Sequence, residues 1–113
     1  MKFTVDSGEF DPSLPLIYLW QIIDEHGEVC FPYVGKAKRG ASRPMNHYVR
    51  NVRNLIAKRP YRKGNPDGYR VVHRRLADAQ TRGLTVRLIF LCNVLGDEDI
   101  DDAERKWQQH YGC

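Results

Sequence analysis

The chain has 113 residues, of which 42% are hydrophobic and 28% charged, and a formal net charge of +4. That length fits one domain with a modest core that needs neither disulfide nor metal to hold it. No apolar run approaches the ~18–20 residues of a membrane span, and the start, MKFTVDSGEFDPS, carries acids and lacks the apolar core of a secretory signal. Cys30, Cys92 and Cys113 are an odd number at no metal-ligand spacing. They read as free thiols of a reducing, cytoplasmic compartment.

Residues 1–15 contain Pro12 and Pro15 and read as a lead-in arm to a single domain over 16–113. LIYLWQII (16–23) is rich in β-branched and aromatic residues and predicts a buried strand. DEHGE (24–28) predicts a tight reversal, because Asp24 and Gly27 supply the needed backbone freedom. VCFPYVG (29–35) then pairs back as a hairpin. Pro32 cannot donate to a ladder, so this strand should lie at an edge or carry a bulge.

From Ala41 the period becomes helical, with Met45, Tyr48, Val49, Val52, Leu55 and Ile56 on one stripe. Ser42 is the expected N-cap, Pro44 sits in the first turn, and the helix should run to about Lys58. KRPYRKGNPDG (58–68) predicts a loop. A second helix over about 69–81 places Val72, Leu76 and Ala79 on one side and stops at Gly83. LTVRLIFLCNV (84–94) predicts a third strand, broken by Gly96. DEDIDDAERKWQQHYG predicts a last helix with acids at the positive end of its dipole. The expected class is α/β (α+β): a small three-stranded, mainly antiparallel sheet flanked by helices, in the order β-β-α-α-β-α.

Charge is segregated along the chain. Residues 36–75 hold thirteen bases against one acid, Asp67, a local net of +12, while the remainder carries −8. Such a segment suits a polyanion; its plainer reading is a solvated basic helix face. Lys38, Arg39, Arg50, Arg53, Lys58, Arg59, Arg62, Lys63 and Arg70 are the candidate nucleic-acid contacts.

Three features bear on chemistry. Tyr18 and Tyr33, one in each arm of the hairpin, can present two phenols on one side of the sheet, and a buried phenol needs a partner. Tyrosine also simply favours strands. Arg43 and His47 share a helix face at i, i+4 and suit a phosphate, with arginine as anion clamp and histidine as proton carrier. Glu104 falls on the stripe of Ile100, Trp107 and Tyr111. A carboxylate on a packing face is costly unless paired or holding a cation. A hard divalent cation takes one or two carboxylates, with phosphate oxygens and water completing its shell.

This ordered set resembles the GIY-YIG nuclease domain. The first motif half stands as Leu16-Ile17-Tyr18 and the second as Tyr33-Val34-Gly35. YVGKAK (33–38), with Arg43 ten residues after its tyrosine, is similar to the nuclease half of bacterial excision-repair endonucleases. Arg43 followed by His47 resembles phage intron-encoded homing endonucleases, and Glu104 followed by Trp107 resembles the family's glutamate helix. The likeness runs over about residues 16 to 111 and implies a bacterial or phage type of setting.

The resemblance implies a divalent-metal-dependent endonuclease that hydrolyses DNA, most readily double-stranded. Glu104 would hold one Mg²⁺ or Mn²⁺, which would polarise the phosphate and stabilise the leaving 3′ oxygen. Arg43 would neutralise developing charge. Tyr18 or Tyr33 would orient and help deprotonate water, with Lys36 or His47 assisting, since a free phenol titrates near ~10. Gly35 would let the backbone approach the substrate. His73 is a candidate for the family's extra histidine, against the reading of a surface histidine among arginines.

Leu16 stands where the family usually has glycine, and no asparagine follows Glu104. Both departures favour the alternative, an inactive GIY-YIG-like module that binds nucleic acid without cutting it. A purely structural domain would leave Glu104 and the tyrosine pair unexplained. The surplus for base readout is the 58–70 loop and the N-terminal arm, which leaves a weakly specific nuclease, a homodimer across a site or a targeting partner.

Overall fold

The computed structural model describes residues 3–112. Four strands, β1 (Phe3–Asp6), β2 (Leu16–Ile23), β3 (Val29–Ala37) and β4 (Thr85–Asn93), form one sheet in the order β1-β4-β2-β3. A π-helical turn at Arg43–His47 leads into α1 (Tyr48–Ile56), followed by α2 (Val71–Thr81) and, after β4, α3 (Ile100–Tyr111).

β2 is an interior strand, and seven of its eight residues are buried. Its unbroken apolar run is what a strand covered on both faces requires. β3 lies at the sheet edge, so the missing N–H of Pro32 is tolerated there. The ladder also shifts register between the pairs Trp20–Tyr33 and Ile22–Cys30, and Phe31 between them has φ +51°. Edge position and bulge both accommodate the proline.

The sheet is mixed and four-stranded, which corrects the expected three-stranded antiparallel one. Phe3–Asp6, inside the expected arm, pairs parallel with β4 in the register Phe3–Val86 to Asp6–Ile89. Four residues ahead of two prolines carry too short a pattern to read as a strand. The open edge of β4 supplies the missing reason, since an unpaired edge is a row of free backbone groups. The Phe3 ring also meets the edge of Trp20, with centroids 6.0 Å apart. The rest of the arm is tied down as well. Asn93 Oδ1 accepts from Asp11 N–H at 2.8 Å, and its Nδ2 donates to the Asp11 carbonyl at 2.9 Å.

Ser42 stands at the start of the first helical segment, but its side chain makes no capping bond. With Pro44 in that first turn, Tyr48 N–H reaches back five residues to the Arg43 carbonyl. Tyr48 and Val52 turn inward, whereas Met45 and Ile56, expected on the buried stripe, are exposed. α1 ends at Ile56, and the connection that follows contains Lys58 at φ +59°.

Side-chain alternation along β2 divides the interior in two. Tyr18, Trp20, Tyr48, Val52, Leu76 and Leu88 pack on the α1–α2 side. Ile17, Leu19 and Val34 pack against Ile100, Ala103 and Trp107 of α3 on the other.

The acids expected at the head of the last helix include its cap: Asp99 accepts from the N–H groups of Asp101 at 2.8 Å and Asp102 at 3.3 Å. Asp99→Ala should cost about 1 kcal/mol, read as a lowered melting temperature by circular dichroism.

Candidate functional site

The alternation that builds the α1–α2 core also sets two phenols side by side. Tyr18 stands opposite Gly35, and Trp20 opposite Tyr33, so both tyrosines project from the same face. A Cβ at Gly35 would lie 2.5 Å from the Tyr18 Cζ and Oη. Gly35 is buried under that ring, so its missing side chain makes room for a phenol. That corrects the expectation of a backbone approach to substrate.

Tyr18 is 1% exposed, and its hydroxyl donates to the Tyr48 hydroxyl at 2.9 Å. Arg70 donates to the same Tyr48 oxygen through Nη1 at 3.2 Å, and to the Tyr33 oxygen through Nη2. Three phenols from two strands and a helix therefore converge on one guanidinium. Burial drives the Tyr18 phenol far above its ordinary range, and Tyr48 beside it adds to the rise. Tyr33 is half-buried and pushed up to about 12, chiefly by burial and then by Tyr48, with the Arg70 charge opposing. Of the two phenols, Tyr33 is the one with an accessible surface.

Lys36 takes no part in this cluster. It projects from the opposite face of β3 and pairs with Asp101 at the head of α3. That bond raises the lysine's pKa and lowers the aspartate's. The cation on the exposed phenol is Arg70, not Lys36.

His73 is 3% exposed, which corrects its reading as a surface histidine. It lies on the inner side of α2 beside Val72 and Leu76. Its ring meets Tyr48, with centroids 5.1 Å apart. Nδ1 accepts from the Arg70 backbone N–H at 3.2 Å, which places the proton of the neutral ring on Nε2, a donor that Asn51 can accept through its amide oxygen only. Burial, then the charges of Arg70 and Arg43, lowers its pKa to about 4.

Arg43 and His47, one turn apart before α1, are exposed and line two clefts that meet between them. One, of about 550 Å³, adds Arg50, Arg62 and Arg70. The other, of about 420 Å³, adds Lys36, Lys38 and Arg39. Arg53 and Arg59 line a neighbouring hollow with Arg50, while Lys58 and Lys63 stand exposed on the loop. Much of the basic segment thus lines the clefts around Arg43 and His47, whereas Arg75 lies over Phe31 elsewhere.

Glu104 lies on α3, across β3 from the tyrosines, half-buried and within electrostatic range of Lys36. Among the described residues, no hydrogen bond or ion pair reaches its carboxylate. Nor does any group of three His, Cys, Asp or Glu among them stand ready for a metal. A cation here would rest on one carboxylate and on oxygens from water and substrate.

Sequence reasoning placed Tyr48 only on an apolar stripe and missed its part in the phenol chain. A tyrosine on a buried stripe needs a polar partner, and that requirement was the available signal. Arg70 was counted among general nucleic-acid contacts, and its bond to Tyr33 spans 37 positions that no local pattern records.

Two outcomes follow. Gly35→Ala should destabilise the fold by about 1–3 kcal/mol through overpacking, and a Tyr18→Leu background should absorb most of that loss in urea denaturation. For His73, the folded pKa lies below the ordinary 6.5, so its stabilisation is complete above pH 6.5 and is lost as pH falls toward 4. The unfolded chain binds the extra proton over that window, with up to about 3 kcal/mol at stake. Urea midpoints of the wild type should fall from pH 6.5 to 5, before carboxylates dominate, and His73→Gln should flatten that slope. No family model matches the chain, and neither a curated protein nor a solved structure matches it.

Proposed function

We propose that this protein is a divalent-metal-dependent endonuclease of the GIY-YIG type, hydrolysing phosphodiester bonds in DNA. The observation that carries the reading is the Tyr33 phenol held by Arg70, a guanidinium that also lines the cationic cleft of Arg43 and His47.

In this reading Arg43 clamps the scissile phosphate and offsets the charge that grows on its oxygens. The Tyr33 oxygen accepts a hydrogen bond from the attacking water and orients it. Arg70 opposes the rise that burial gives the Tyr33 pKa, and the phenol keeps its proton while its oxygen holds the water. His47, at the junction of both clefts, takes the proton of the water or passes one to the leaving oxygen. Tyr18 is a positioning residue: it fixes Tyr48, which with Tyr33 shares the Arg70 fork.

A metal fits the chemistry of Glu104. Asp101 takes the ion pair with Lys36, so among the described residues the half-buried Glu104 carboxylate has only the more distant charge of that lysine, a condition a hard cation relieves. When bound, Mg²⁺ or Mn²⁺ would supply Lewis-acid polarisation of the phosphate and stabilise the leaving oxygen.

The second reading, a module that binds nucleic acid without cutting it, draws on one observation. Glu104 stands on the α3 side of the sheet, while the tyrosines stand on the α1–α2 side.

Supercoiled plasmid incubated with Mg²⁺ or Mn²⁺ should be nicked or linearised, and EDTA should stop it. Glu104→Ala should abolish cutting and leave DNA affinity within about twofold. A mutant that cuts at the wild-type rate would overturn the metal assignment. DNA retained in a gel by an uncut, salt-sensitive complex would establish the binding module instead. Arg50→Ala or Lys63→Ala should weaken binding alike on unrelated sequences and reduce the salt slope by about one, as measured by fluorescence anisotropy across a salt series.

A further inference from the structure

The 550 Å³ cleft contains more than phosphate chemistry requires. Its α1 wall presents two amides one turn apart, Asn51 and Asn54, both half-buried. Asn51 has only the 3.5 Å contact with His73, and the Asn54 side chain has no partner among the described residues. Tyr61 and Arg62 of the 58–68 connection also line the cleft, and that connection is held by its own hydrogen bonds. Tyr61 N–H donates to the Pro66 carbonyl at 2.9 Å, and Arg62 and Asn65 exchange backbone hydrogen bonds across the tip. The Tyr61 ring is braced edge-on by Tyr69 at 5.2 Å, and the Arg62 guanidinium lies 5.0 Å from its centre. Tyr69 in turn donates to the Arg59 carbonyl at 2.9 Å.

A duplex backbone takes hydrogen bonds from cations and amides alike, but it makes no use of an aromatic face. Two amides aimed into a concave space with an aromatic ring and a guanidinium suit something else. Amide pairs match the donor–acceptor edge of a nucleobase. Planar side chains stack on a base face that is free of its neighbours. The cleft volume lies in the range of small-ligand sites, and Arg43 and Arg50 at its rim suit the attached phosphate.

We propose that this cleft is a pocket for one unpaired nucleobase, stacked against Tyr61 and Arg62 and read by Asn51 and Asn54, so that the protein selects DNA carrying an unpaired nucleotide over continuous duplex. The inference rests on the nuclease reading for its biological use, because it names the substrate class of that same site. It stands apart from it in measurement, since binding is read without metal.

The test compares two labelled duplexes of equal length and sequence by anisotropy in EDTA, one with a single unpaired adenine and one fully paired. The wild type should bind the first at least about tenfold tighter. Asn54→Ala, which removes a side chain with no partner among the described residues, and Tyr61→Leu should each bring that ratio below about threefold. Equal affinity of the wild type for both duplexes overturns the proposal, as does a preference that both variants retain. Plasmid cleavage in Mg²⁺ is scored separately. Cutting without the preference removes the pocket and keeps the nuclease; the preference without cutting keeps the pocket and removes the nuclease.

Discussion

The Arg70 guanidinium is the point on which this site depends. It stands at the head of α2, and its two terminal nitrogens reach a phenol on α1 and a phenol on the edge strand β3. Through Tyr48 it is also coupled to Tyr18 on β2. Four elements are thereby tied through one charged group. Phenols that are buried on an apolar face need polar partners. Arg70 meets that need at the boundary of the core, where a guanidinium can still be partly hydrated. The same residue anchors His73, whose Nδ1 receives the Arg70 N–H. Burial is the first cause of both the low pKa of that histidine and the high one of Tyr33; the Arg70 charge adds to the first shift and opposes the second.

The sheet separates two kinds of surface. On the α1–α2 side, many of the bases of residues 36–75 gather around Arg43 and His47 and leave an open cationic surface. On the α3 side, an apolar stripe seals Ile17, Leu19 and Val34, and the acids of the last helix stand at its head. Lys36 on the edge strand β3 pairs with Asp101 of α3 and also lines the cleft of Arg43 and His47. That strand lies at the sheet edge, so groups from both faces can approach one another around it. The proposed chemistry uses this border: phenol and guanidinium from one side, Glu104 from the other.

Much of the fold was legible in the sequence because its signals are local. The run LIYLWQII marks a doubly covered strand, Pro32 an edge with a bulge, and Gly83 and Gly96 the ends of their segments at φ +76° and +60°. β1 was not legible, because four residues acquire strand character only from the open edge of β4 that they cover. Met45 left the expected stripe because the turn at Arg43–His47 is wider than an α-helical one. His73 looked like one polar residue among arginines, but helical geometry places it on the inner side with Leu76.

The sequence by itself determined the order of strands and helices from β2 onward, the segregation of +12 onto one segment, and the candidate set Tyr18, Tyr33, Arg43, His47 and Glu104. All of these depend on residue type and near-neighbour spacing. Tertiary structure alone decided which phenol is sealed and which is reachable, that Gly35 makes room for Tyr18, that Arg70 and not Lys36 holds Tyr33, and that Asn51 and Asn54 line one cleft with Tyr61. Those facts depend on burial and on distances between residues far apart in the chain. They exist only once the sheet register and the packing of helices upon it bring such residues together.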